Sequence, residues 1–261
     1  MIKLLQFLLT ALLILDARVK GAAILKTVGD EADSAHDLAE ELSGQFEGDI
    51  VLNDVQQNEF RKRTGVILPQ LLWPNGIVHY EIFADNFTSH QIMTIEGAML
   101  DIQRVSCVRF VPRTATTTDY VRITGAPSGC FSYVGRQGGP QQLNLQPGTN
   151  CFQYGTILHE LIHALGFYHM QSASDRDQYV TIRWENVQQG MQTNFQSYGV
   201  EYISDFGMGY DYGSLMHYSA TAFSANGAQT IVPREAGATI GQRVWMSEPD
   251  IWRIWAMYKC A

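Results

Sequence analysis

Apolar residues change their spacing along the chain, and the changes mark its elements. Lys3 precedes a mostly apolar run from Leu4 to Leu15, and small residues interspersed with charges follow. The run holds 12 residues, too few to cross a bilayer, which takes about 20. Charge, then apolar run, then small residues is the order of a secretory leader. It predicts a signal segment over residues 1–21, cut after Ala17 or Gly21. From Gly29 to Glu59 the chain is rich in Gln and acidic residues and has little apolar periodicity. It ends in Arg61-Lys62-Arg63, which a trypsin-like or furin-like protease would cut.

Beyond that point the pattern becomes that of a folded domain. Ile77 to Phe83 alternates as a strand does. Between Gln91 and Cys107, Ile92, Ile95, Met99, Ile102 and Val105 fall at three- and four-residue steps, predicting a helix. Val108–Val111, Tyr120–Thr124, Cys130–Val134 and Gln142–Leu145 read as short strands between Gly and Pro turns. Phe152–Phe167 reads as a second helix, Val187–Phe195 as a third and Glu248–Tyr258 as a fourth. Strands and a helix come first, a central helix follows, and irregular chain with a late helix completes an α+β plan. The expected division is a leader over 1–21, a pro-segment over 22–63 and a globular domain over 64–261.

Formal net charge is −8, and Ala22 to Arg63 carries ten acidic and four basic residues, a balance of −6. A basic footprint for nucleic acid is absent. No second apolar stretch nears spanning length, so an exported, unanchored product is expected. The four cysteines, Cys107, Cys130, Cys151 and Cys260, all follow Arg63. An even number in an exported chain reads as two disulfides, with three pairings open.

The chemistry centres on His159-Glu-Leu-Ile-His163. Two histidines four apart on a helix project from one face, their Cβ atoms about 6 Å apart, and can share one zinc ion. Glu160 points beside the metal, where a base for a metal-activated water belongs. Gly166 can take a positive φ, end the helix and bring His169 back as a third ligand. Three protein ligands leave a coordination position for water, the catalytic arrangement.

The motif HELIHALGFYH, the following Asp175-Arg176-Asp177 and the segment Tyr212-Gly-Ser-Leu-Met216-His217-Tyr218 resemble the metzincin metallopeptidases and, within them, the astacin family. The resemblance covers nearly all of the chain after the leader. It implies a zincin-like fold, in which an N-terminal mixed sheet carries the active-site helix and a largely irregular C-terminal subdomain follows. It implies a secreted endopeptidase with one zinc per chain, made as a latent zymogen, acting on protein or peptide substrates after an activating protease has cut it. Met216 would lie beneath the histidines. Tyr218 would ligate zinc in the free enzyme and turn to the reacting carbonyl, where a phenol stabilises developing charge. His217 is not expected to be a ligand.

The resemblance pairs Cys107 with Cys260 and Cys130 with Cys151. Phe46-Glu47-Gly48-Asp49 resembles the family's pro-segment motif, in which the aspartate replaces the catalytic water. The pro-segment has no cysteine, so a thiolate latch is excluded and Asp49 takes that part. Two positions depart from the pattern: Met170 stands where glutamate is usual and Ala173 where arginine is common. The usual glutamate contacts the new N-terminus of the mature enzyme, expected here at Thr64, and Met170 cannot hold a charged terminus.

Substrate is expected to lie extended along an edge strand, Gln142–Leu145. Asn86-Phe87-Thr88 is a glycosylation acceptor in an exported chain. The sequence stops one residue after Cys260, suggesting a small, free, monomeric protease. The alternatives are a different metzincin branch and a secreted zinc-binding or structural zinc protein without catalysis.

Overall fold

A computed structural model of the chain describes residues 38–41, 43–54, 56–57, 69–199 and 206–260. The predicted leader, the Arg61-Lys62-Arg63 cluster and Thr64 lie outside them. From the acidic segment come helix α1 (Leu38–Glu41) and strand β1 (Ile50–Val51). There follow β2 (Ile77–Ile82), α2 (Ser89–Val105), β3 (Arg109–Pro112), β4 (Tyr120–Thr124), β5 (Cys130–Tyr133), β6 (Pro140–Leu145), α3 (Tyr154–Leu165), β7 (Val180–Ile182), β8 (Ile231–Pro233) and α4 (Glu248–Tyr258). None of the described helices is long and apolar enough to cross a membrane.

Six strands form one mixed sheet in the order β1-β5-β6-β4-β2-β3. Only β5 and β6 pair antiparallel, with Phe131 opposite Asn144. This corrects one expectation. Gln142–Leu145 belongs to β6, which lies between β5 and β4 and cannot be an edge. Alternation shows which face of a strand is buried but not how many neighbours it has, and β6 buries Leu143, Asn144 and Leu145 in succession, as interior strands do. Leaving β1 aside, the edges of the sheet are β5 and β3, and the acidic segment takes the β5 edge: Ile50 pairs in parallel with Ser132.

Helix α2 starts at a capping box. The Thr88 hydroxyl accepts from the Gln91 N–H, and the Gln91 side chain accepts from the Thr88 N–H. It buries Ile95, Ala98, Met99 and Ile102 in the main core, which α3 also enters. Every residue of α3 from Gly155 to Leu165 is buried. A helix buried all round needs partners for the carbonyls of its last turn. The Gly135 and Gly166 amides donate to the His163 carbonyl at 2.9 and 2.8 Å. The Trp73 indole donates to Ala164 and the Tyr258 hydroxyl to Leu165, each at 2.7 Å. Gly166 has φ 117°, a left-handed turn that ends the helix.

The C-terminal half holds little regular structure beyond the antiparallel pair β7–β8. A second core of Val180, Phe195, Tyr218, Phe223 and Ile231 fills it. The predicted helix Val187–Phe195 is absent. Two 3-10 turns, Trp184–Asn186 and Gln192–Phe195, stand there instead. Gly190 at φ 93° interrupts them, and the Gln188 N–H is drawn away to the Phe223 carbonyl. Asp250 at the start of α4 accepts from the Ser247 amide, the Ser214 hydroxyl and the Leu215 amide, tying this helix to the segment that carries Met216. Disulfides join Cys107 to Cys260 and Cys130 to Cys151.

The first turn of α3 is wedged against the backbone of Arg243. A Cβ on Gly155 would stand 2.0 Å from the Arg243 carbonyl oxygen, and backbone cannot swing aside as a side-chain tip can. Gly155→Ala is therefore expected to destabilise the chain by about 1–3 kcal/mol, the range for overpacking a tight interior. Thermal unfolding of the purified variant checks this, and an unchanged midpoint would contradict the packing described.

Candidate active site

His159 and His163 stand one turn apart on α3, and the corner at Gly166 returns the chain so that His169 faces them. All three rings are fully buried. Each is gripped at Nδ1 by an acceptor. The Leu215 carbonyl holds His159 at 2.9 Å, the Phe167 carbonyl holds His163 at 2.7 Å, and a Glu47 carboxylate oxygen holds His169 at 2.8 Å. These acceptors hold a proton on each Nδ1, so the three Nε2 atoms point inward. Nε2 of His159 lies 2.9 Å from that of His163 and 3.3 Å from that of His169.

Asp49 completes the group. Its Oδ2 is 3.2 Å from His159 Nε2, and its Oδ1 is 3.3 Å from His169 Nε2 and 3.6 Å from His163 Nε2. Burial alone would favour the neutral acid, but His169 and His163 hold the Asp49 carboxyl well below the usual range. Burial also opposes a charge on His169, yet Asp49 and Glu47 lift its pKa to about 9. Burial keeps His159 near 4. Three ring nitrogens and a carboxylate facing one another call for a cation. The edge of a tetrahedron with zinc–nitrogen bonds of 2.0–2.1 Å is about 3.3 Å, close to the spacings found. The four donor atoms lie within 4.8 Å of one another. The cluster is positioned to hold one zinc ion.

Asp49 arrives through a tight reversal. Glu47 has φ 48° and Gly48 φ 89°. A Cβ at Gly48 would meet the Phe223 ring at 2.9 Å and the Glu40 carbonyl at 3.2 Å, so only glycine fits between Glu47 and Asp49.

Glu160 is fully buried, and neither carboxylate oxygen has a hydrogen-bond partner among the described residues. Burial, then the charges of Asp49 and Glu40, push its pKa well above the usual carboxylate range. The Tyr218 hydroxyl donates to the Glu47 carbonyl at 2.5 Å, and its ring lies 4.7 Å from that of His169. Burial, then Glu47, raises its pKa, so it is a neutral donor. Met216 lies in the main core with the residues of α3.

His217 stands apart from the donor group. Its Nε2 accepts from the Tyr210 hydroxyl, its Nδ1 donates to the Tyr218 carbonyl, and burial lowers its pKa to about 4. Met170 is buried, its sulfur accepting from the Asp211 amide, and Ala173 is buried nearby. Asn86 is exposed at the end of a 3-10 turn, while Thr88 is engaged as the cap of α2.

Two participants had no role assigned to them from the sequence, although one of them, Glu47, stands in the Phe46-Glu47-Gly48-Asp49 motif. Glu40 of α1 accepts from Arg243 Nε at 2.9 Å and from Nη2 at 2.6 Å in a buried ion pair. Burial disfavours the Glu40 charge, but Arg243 outweighs it and lowers the pKa. Arg243 Nη1 donates to the carbonyls of Leu215 and His217, and Leu215 is the residue that holds His159. Glu47 behind His169 is the other. Both are single acids within an acidic run, their partners 203 and 122 residues away.

The full chain is expected to take up one zinc. His159→Ala, His163→Ala and His169→Ala are each expected to lose it, while His217→Ala retains it. Elemental analysis of the purified variants checks all four.

The model of one protein family, the Astacin peptidase family, matches residues 66–259. The zinc metalloproteinase nas-15 of Caenorhabditis elegans is 46% identical over 189 residues, covering 72% of this chain and 32% of that protein. The zinc metalloproteinase nas-13 of the same organism is 41% identical over 230 residues, covering 83% and 50%. The chain thus spans a third to a half of the length of these curated relatives. High choriolytic enzyme 1, a hatching enzyme zinc-protease of the medaka fish Oryzias latipes, superposes with a TM-score of 0.69 at 39% identity, covering 74% of this chain and 97% of that one. Myroilysin, at 20% identity and a TM-score of 0.52, shares the fold. A buried three-histidine centre built around a glycine-ended helix and a family match over residues 66–259 have one reading: this chain belongs to the astacin family of zinc metallopeptidases.

Proposed function

We propose that the chain is a zinc-dependent endopeptidase made as a latent precursor, with residues 22–63 as a removable pro-segment and the catalytic domain from Thr64 onward. The observation that carries this is Asp49, seated against three imidazoles from a segment that ends in a basic cleavage cluster. A carboxylate there fills the position that an attacking water needs. The layout of residues 1–21 and the two disulfides support export, and exposed Asn86 suits glycosylation.

Bound zinc would supply a Lewis acid and lower the pKa of water towards about 7. His159, His163 and His169 would hold it. Glu160 accepts the proton as water attacks the peptide carbonyl and passes it to the leaving amine. Its unpartnered oxygens suit both transfers. Tyr218 now donates to a backbone carbonyl, that of Glu47, and the same phenol would donate to the oxyanion of a substrate. Glu40 lines one small cavity with Asp49 and Tyr218. When the pro-segment leaves, an acidic side chain of a peptide can replace the Glu40 carboxylate on Arg243. Peptides with Asp or Glu near the scissile bond are therefore favoured.

Casein zymography with and without a chelator tests the activity, on chain before and after trypsin treatment. The processed chain is expected to cleave casein only without chelator. Glu160→Ala should retain zinc and lose about 10²–10⁴-fold in kcat, and Tyr218→Phe about 10²-fold. Asp49→Ala should cleave substrate before processing. Full turnover by Glu160→Ala would end the proposal.

A further inference from the structure

The three imidazoles are held from behind, but not by the same part of the chain. His159 and His163 donate to the carbonyls of Leu215 and Phe167, which stay with the catalytic domain. His169 donates to Glu47, in the segment read above as removable. On that reading, one ligand of three is anchored by a group that the processed chain lacks.

Glu47 is built into its place. It is 1% exposed. Its Oε2 accepts from His169 Nδ1 at 2.8 Å, and its Oε1 accepts from the Ser172 hydroxyl at 2.9 Å and the Tyr198 hydroxyl at 2.7 Å. The Tyr198 amide in turn donates to the Ser172 carbonyl at 2.8 Å, so the two hydroxyls share one support. Its backbone sits at φ 48°, a conformation that disfavours any residue carrying a Cβ. The side-chain contacts must outweigh that cost for the turn to persist.

A carboxylate behind a metal-bound imidazole fixes its tautomer, orients the ring and raises its basicity. We propose that Glu47 is a positioning residue for the third zinc ligand, so that the pro-segment grips the metal centre twice. Asp49 meets it from the inner side and Glu47 steadies it through His169. Zinc is consequently held more tightly before processing than after it.

Zinc release into excess chelator, followed with a colorimetric indicator on the zinc-loaded full chain, tests this without turnover. Glu47→Gln keeps the size of the side chain and removes its charge. Loss of such an outer partner weakens metal binding by about 10–100-fold, so release at least about tenfold faster is expected. Trypsin-processed wild type is expected to release zinc faster than its precursor. Ser172→Ala, altering the same contact from the catalytic side, is expected to give a smaller acceleration that does not add to that of Glu47→Gln. It carries the test should Glu47→Gln fail to fold. The visible bands of the cobalt-loaded chain are expected to shift in Glu47→Gln, which a packing defect away from the metal would not cause. Wild-type release rates in both variants with unshifted cobalt bands would overturn the inference, as would slower release after processing. Failure of the latency reading looks different: Asp49→Asn would then be no more active than unprocessed wild type, whatever the release rates.

Discussion

Lone pairs that converge in a dry interior repel one another, and the rest of this molecule is organised round that fact. Three imidazole nitrogens and a carboxylate meet at one buried point, and the hydrogen bonds behind the rings hold each Nε2 turned inward. Only positive charge reconciles such a group. The surrounding fold keeps the rings from escaping. Helix α3 is sunk in the core, its last carbonyls are closed by Trp73, Gly135 and Tyr258, and the corner at Gly166 leaves the Phe167 carbonyl against His163.

The acidic segment uses the same electrostatics from outside. Glu40, Glu47 and Asp49 each meet a group of opposite charge or a strong donor, and Glu41 accepts from the Phe223 amide. Because the segment is covalently attached, these contacts form at a high effective concentration. Strand β1 adds backbone pairing along β5.

Much of this was legible in the sequence where the signal is local. Helix α4 carries its own capping box, and the strand Tyr120–Thr124 lies between clear turn residues, so both could be bounded closely. The convergence of His159, His163 and His169 followed from helix period and one glycine. What failed depends on remote partners. Val187–Phe195 has helix-compatible spacing, but Phe223 claims its backbone. The short β7 and β8 show no period to read, and only their mutual pairing makes them strands. The interior position of β6 is a property of its neighbours. The Glu40–Arg243 ion pair joins residues whose types are common and whose separation carries no rule.

Asp250 has a consequence that reaches beyond its own helix. One carboxylate closes the first turn of α4 and also holds the Ser214–Leu215 loop, whose carbonyl grips His159. Opening either end breaks hydrogen bonds to a carboxylate the other end shares, which couples the two. Amide hydrogens at the start of α4 then exchange with solvent in step with those around Met216, and a helix that touches no metal reports whether the centre is intact.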